Sequence, residues 1–136
     1  MLDRIDLRVE IPALASEELL GERAPPDAAL TSECAGRLVR ETRALQRRRA
    51  GKLNVELSGN EIEELCRLDR KSRLLLGQAC ARLTLSARGI HRVLRVARTI
   101  ADMSIAEMSD PRNDSGPQDF SIGPVHLAEA LQLRRE

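Results

Sequence analysis

The sequence predicts a mostly α-helical fold, a bundle of about five helices preceded by one strand-like segment. Three observations predict it. The 136 residues are 42% apolar but hold one Phe, no Tyr and no Trp. A core of Leu, Ile, Val and Ala suits packed helices better than sheets, which favour aromatic and β-branched residues. Successive stretches repeat apolar residues at the helical period behind N-cap signals, and one stretch alone alternates with the period of a strand.

That stretch comes first. From Ile5, apolar Leu7, Val9 and Ile11 alternate with Asp6, Arg8 and Glu10 until Pro12. Pro cannot donate to a ladder and ends the pattern. A lone strand leaves its own backbone groups unsatisfied, so either this piece frays or its partner strands lie outside this sequence. A short helix is expected over residues 16–21, with Ser16 as cap, then a linker over 22–29 that contains Pro25-Pro26.

The helical period returns over residues 31–49. Cys34, Leu38, Thr42 and Leu45 lie about a turn apart, with Arg47, Arg48 and Arg49 at the C-terminal end and Gly51 as stop. Cations there complement the helix dipole. Ser58-Gly59-Asn60-Glu61 is a capping box before Ile62, Leu65, Cys66 and Leu68. Asp69 caps a helix over 70–83 whose apolar side carries Leu75, Leu76, Ala79, Cys80 and Leu83. Ser86 opens the best-patterned helix, expected to run to 103. Breakers crowd 109–117. Gly123-Pro124 starts a last helix with Leu127, Ala128 and Leu131 inward, Pro taking the first turn.

Composition excludes several classes. Twenty-two basic residues against 21 acidic leave a formal charge of +1, which gives no long-range pull toward nucleic acid or an anionic membrane and leaves local patches open. No stretch approaches the roughly 18–20 apolar residues of a membrane span, and the N-terminus has no signal-peptide pattern. Cys34, Cys66 and Cys80 are odd in number and widely spaced, unlike a disulfide framework or a zinc site. They are expected to be buried, reduced thiols of a cytoplasmic protein. Glu61, Glu63 and Glu64 lack metal-ligand spacing and read as first-turn dipole complements. His91 reads as a surface residue, and His126 as a side chain of a helix cap.

Function concentrates on the helix from Ser86. At about 100° per residue, Ile90, Val93, Leu94, Ala97, Ile100 and Ala101 share one sector. Arg88, Arg92, Arg95 and Thr99 take the opposite one, with His91 and Arg98 at its edge. The expectation is one packed face and one presenting up to four guanidinium groups. These groups either face water or form an anion site, since arginine's planar fork grips phosphate in two places. Arg88 lies near the helix N-terminus, where free amides also favour an anion. The phosphate could belong to a nucleotide or to a nucleic-acid backbone. Arg47, Arg48, Arg49 and Lys52 are a second candidate for backbone phosphates, or a plain helix C-terminal cluster. Without interleaved aromatics, stacking on single-stranded bases has no platform.

The run from Ser86 to Asp102, Ser-Ala-Arg-Gly-Ile-His-Arg-Val-Leu-Arg-Val-Ala-Arg-Thr-Ile-Ala-Asp, with His126-Leu-Ala-Glu-Ala-Leu-Gln132 downstream, resembles the C-terminal region of magnesium-chelatase-like AAA+ ATPases of the ComM/YifB branch. Residues 2–12 resemble the end of that family's ATPase core, and Gly51-Lys-Leu-Asn54 with the Ser58 capping box also fits. The resemblance covers nearly the whole chain. It implies three parts: 1–12 the end of the AAA+ core, 13–30 a linker with a short helix, and 31–136 the helical lid. It implies Arg88 as the sensor-2 arginine that reaches the γ-phosphate, with Arg92 as the competing candidate, and Arg4 as an arginine finger toward a neighbouring subunit's nucleotide. It implies ATP and Mg in the full-length protein, with none expected on this stretch alone. The partners implied are the upstream core, a homo-hexamer and DNA, with remodelling of DNA in competence and recombination as the work done. The sequence holds no G-x-x-x-x-G-K-[ST], so the chain reads as a fragment that does not turn over ATP alone. A stand-alone helical module that binds nucleic acid or protein through the arginine face is the alternative. A chelatase-type partner in metal insertion would use the same lid.

Overall fold

Each helix begins where a side chain or a proline deals with orphan amides, because the first four N–H groups of a helix have no partner inside it. The computed structural model describes residues 5–13, 31–108 and 121–134. Helix α1 spans Ser32–Ala50. Thr31 Oγ1 accepts from Cys34 N at 3.2 Å, and Gly51, at φ +70°, closes the other end with its N–H on Arg47 O. A 3-10 turn, Asn54–Glu56, follows. Helix α2, Gly59–Leu65, carries the expected box: Ser58 N donates to Glu61 Oε2 at 2.7 Å, and Glu61 N donates back to Ser58 Oγ. Helix α3, Arg70–Leu83, is capped by Asp69, which accepts from Ser72 N at 2.6 Å. Helix α4 is Ala87–Met108 and helix α5 is Pro124–Gln132. Gly123 N donates to His126 Nδ1 at 3.2 Å, so His126 is a cap-region side chain as expected.

Helix α4 lies at the centre, with α1, α2 and the 3-10 turn on it and α5 along another side; α5 in turn packs on α3. The core is Leu57, Ile62, Cys66, Val93, Leu94, Ala97, Ile122, Leu127 and Ala130. Among the described residues it contains no aromatic ring, in keeping with a composition that holds a single Phe. Ile122 enters it from a loop: its N–H donates to Arg67 O at 3.0 Å, and its carbonyl accepts from the buried Ser72 hydroxyl at 2.9 Å. Apolar burial of such side chains contributes about 1.5–3 kcal/mol each.

Three expectations are corrected. Helix α4 runs to Met108 rather than 103, because Ala106 is buried and holds another turn in place. Leu83, expected inward on α3, is half exposed. Of the three thiols only Cys66 is buried; Cys34 and Cys80 are intermediate, and all are free. Residues 5–13 find no strand partner among the described residues, which agrees with a segment that is frayed or paired elsewhere. Arg8 N donates to Leu133 O at 2.7 Å, but no ladder forms, and Ile5, Leu7, Val9 and Ile11 stay 51–87% exposed. Alternation supplies a strand's side chains but not the neighbour whose hydrogen bonds make it one. The expected short helix over 16–21, the linker over 22–29, the breakers of 109–117 and Arg4 lie outside the described residues. Among those described, no helix is long and apolar enough to cross a membrane.

Candidate functional site

The arginines of α4 divide along the helix. Its first turn is anchored by Ser86 Oγ, which accepts from Gly89 N at 3.1 Å. Arg88 stands here, exposed to solvent, and makes no ion pair among the described residues. Arg134 passes over this turn: a Cβ at Gly89 would sit 3.0 Å from its Nη2, so a larger residue there would move the Arg134 guanidinium aside.

One turn on, Arg92 is 16% exposed. Its Nε forms an ion pair with Asp6 Oδ1 at 3.1 Å, and Asp6 itself stays 52% exposed. Arg92 Nη1 is buried with no hydrogen-bond partner among the described residues. A buried unsatisfied donor costs about 1–3 kcal/mol and calls for a reason. His91 is half-buried rather than a surface residue, its Cε1 3.2 Å from where a Gly59 Cβ would be.

From the third turn the polar sector points into the molecule, against the expectation of four outward guanidinium groups. Arg95 Nη2 donates to Leu57 O at 2.6 Å. Thr99 Oγ1 accepts from Asn54 Nδ2 at 3.0 Å. Arg98, with 2% of its side chain exposed, pairs with the fully buried Asp102 one turn on, Nη2 to Oδ1 at 2.9 Å. Arg49, expected among the outward cations of α1, turns inward as well. Its Nη1 and Nη2 meet the two Asp102 oxygens at 2.7 and 2.9 Å, and its Nη2 also donates to Asn54 Oδ1 at 2.8 Å. Asn54 gives Asp102 a further bond of 2.9 Å, and its N–H donates to Gln46 Oε1.

The reason is a second layer. Helix α1 and the 3-10 turn cover the polar side of α4, and most of what they bury there is paired, although Arg95 Nε, like Arg92 Nη1, has no hydrogen-bond partner among the described residues. Asp102 lets two arginines go inside together. Burial pushes its carboxyl up, but the hydrogen bond from Arg49, the charge of Arg98 and the Asn54 amide outweigh that and hold it below the usual carboxylate range. Cys66 lies in the same interior. Burial raises its thiol to about 11, so it is protonated and inert. Sequence reading missed Asp102, Asn54 and Gln46 as a group. The spacing of Arg98 and Asp102 was legible; the partners 48 and 53 residues away were not.

Lys52, the fourth member of the expected basic cluster, pairs with Glu61 at 2.7 Å. The bond from Lys52, with those from Ser58, pulls the Glu61 carboxyl down to about 2. Of that cluster, Arg47 and Arg48 remain in solvent. The described residues hold no group of three His, Cys, Asp or Glu side chains that could bind a metal ion. A single exposed guanidinium beside a helix N-terminus suits a phosphate oxygen.

The sequence profile of the magnesium chelatase ChlI C-terminal family matches residues 29–114, which include α1 to α4. Among curated proteins, the competence protein ComM of Haemophilus influenzae is 38% identical over 135 residues, covering 98% of this chain and 23% of its own length. The YifB proteins of Salmonella typhimurium and Escherichia coli are 35% and 36% identical over 133 residues, with the same two shares. The chain thus spans about a quarter of the length of the curated relatives it matches.

Proposed function

The chain belongs to the magnesium chelatase ChlI C-terminal family, and on that premise we propose that it is the helical lid of a AAA+ ATPase. In this reading Arg88 senses ATP by contacting its γ-phosphate, with Arg92 as the competitor, and lid closure couples hydrolysis to remodelling of DNA. The observation that carries it is the division of α4. Its inner arginines are engaged inside the molecule, and Arg88 alone stands exposed at the N-terminal turn. A guanidinium there adds a charge-assisted hydrogen bond to the field of the helix terminus. Arg92 is half engaged: Asp6 holds Nε while Nη1 has no partner among the described residues.

In the intact protein ATP supplies the phosphoryl group to be transferred, and Mg neutralises its charge. The role assigned to this chain is contact and closure. Residues 1–12 then belong to the end of the ATPase core, 13–30 to a linker and 31–136 to the lid. Arg4 would act as arginine finger toward a neighbouring subunit in a hexamer. The alternative of a stand-alone module needs the arginine face of α4, and the inward course of Arg95 and Arg98 counts against it.

The test is Arg88→Ala and Arg92→Ala, made separately in the full-length protein, with ATP hydrolysis measured. A hydrogen bond to a charged group contributes about 1.5–3 kcal/mol, so loss of the sensor should slow hydrolysis by roughly 10- to 100-fold. Loss in one variant alone assigns the sensor. Unchanged hydrolysis in both removes the reading.

A further inference from the structure

Helix α1 has an outer face on which no other described element packs. Its inner side carries Leu38, Thr42, Leu45, Gln46 and Arg49. At about 100° per residue, Arg37, Arg40, Arg43, Arg47 and Arg48 fall within an arc of roughly 140° on the opposite side. All five are exposed, and none makes an ion pair among the described residues. Glu33 shares the N-terminal end of that arc and Glu41 borders it, each one turn from Arg37, yet neither pairs with it. Arg43 and Arg47 are like charges at i,i+4, and Arg37, Arg40 and Arg43 follow at i,i+3, spacings that destabilise a helix without an anion to bridge them.

We propose that the outer face of α1 is a docking surface for the sugar-phosphate backbone of duplex DNA. The inference rests on the DNA part of the function proposed above and is independent of the ATP part. Three features select this partner. The cations are all arginine, the side chain whose fork grips phosphate in two places. They extend over 12 residues, about 16 Å of helix from first to last, along which one strand of a duplex presents about five phosphates. The arc holds no aromatic, Leu, Ile or Met anchor: Gly36 and Ala44 separate the arginines. A protein interface wants such anchors at its centre, and a membrane-surface helix wants them on one face. The missing aromatics favour duplex over single strand. The array that the sequence placed on α4 thus stands on α1, with Arg49 withdrawn from it.

The test is duplex binding by the 136-residue chain, followed by fluorescence anisotropy from 50 to 200 mM salt. Two variants remove the same charge: Arg40→Gln/Arg43→Gln/Arg47→Gln on α1, and Arg70→Gln/Lys71→Gln/Arg73→Gln on the exposed side of α3. Gln and Arg have similar helix propensity, and circular dichroism checks that both variants fold. The native chain should bind in the non-specific range of about 10⁻⁴ to 10⁻⁶ M, with a log–log salt slope near −0.9 per phosphate contact. The α1 variant should bind at least 10-fold more weakly with a slope shallower by about 2–3, and the α3 variant should bind as the native chain does. Equal weakening in both means diffuse charge and overturns the surface. Poly-glutamate competing as well as duplex, charge for charge, means an acidic protein partner and also overturns it. If duplex binds and the α1 variant is unaffected, the surface is wrong and the DNA reading stands. If neither this chain nor the full-length protein binds duplex, both fall, and the ATP reading is judged on Arg88 alone.

Discussion

Asp102 decides more of this molecule than any other residue. Its side chain is fully buried, and it accepts from Arg49, Arg98 and Asn54. Removing one partner of a buried ion pair costs about 3–5 kcal/mol, because the opposite charge is left without compensation. Asp102→Ala strands two arginines, so chemical denaturation should show a loss at the upper end of that range or no cooperative fold. Replacing Arg49 by Met should cost less, since Arg98 still neutralises the carboxylate. Glu61 gives a second residue-scale test. Its carboxyl titrates near 2 when folded, against 4.5 ordinarily. A depressed folded value stabilises fully above the ordinary value, and that contribution is lost as pH falls through the folded one. The stability of the native chain should therefore fall between pH 4.5 and 2 more steeply than that of Glu61→Gln, and superimposable acid limbs would contradict the pairing with Lys52.

Elements were the most legible scale. The caps Ser58 with Glu61, Asp69 and Gly123-Pro124 open helices where local chemistry puts them, and Thr31, placed by the sequence inside the helical stretch, turns out to be the cap of α1. Gly51 closes α1 in the left-handed region, with nothing within 4 Å of the place a Cβ would take. Gly51→Ala should thus destabilise by the backbone term alone, about 1–2 kcal/mol, as a shift in the urea midpoint. The inner side of α4 was read correctly for Val93, Leu94, Ala97 and Ala101. Its polar side was not. Helical period says which residues share a face, and it does not say whether a second layer covers that face. A charged sector facing α1 and one facing water look alike until Gln46, Arg49 and Asn54, distant in sequence, are brought against it. Length was misjudged for a related reason: Ala106 lies on the polar side of α4 and gave no apolar signal for a last turn, although packing buries it. Of the site residues, Arg88 stands in solvent as read, Arg92 is held by Asp6, and Arg4 lies outside the described residues.

At the scale of the molecule, α4 works as an axis with two kinds of contact. One side is an apolar seam with α5, and the other is a hydrogen-bonded seam with α1 and the 3-10 turn. Directional bonds fix the rotation of α4 about its own axis more tightly than apolar packing does, so the buried network orients the first two turns and with them Arg88 and Arg92. Breaking it at Asn54, as in Asn54→Ala with circular dichroism checking the fold, should then impair ATP hydrolysis in the full-length protein, although the bonds of Asn54 in the buried network reach neither Arg88 nor Arg92. The central claim is that the exposed arginine of α4 distinguishes ATP from ADP. Equilibrium binding of both nucleotides to the full-length protein and its Arg88→Ala variant tests it most directly. ATP affinity should fall by about 10- to 100-fold while ADP affinity holds, as expected for one charge-assisted hydrogen bond to the third phosphate. Equal losses for both nucleotides, or none for either, would contradict the account.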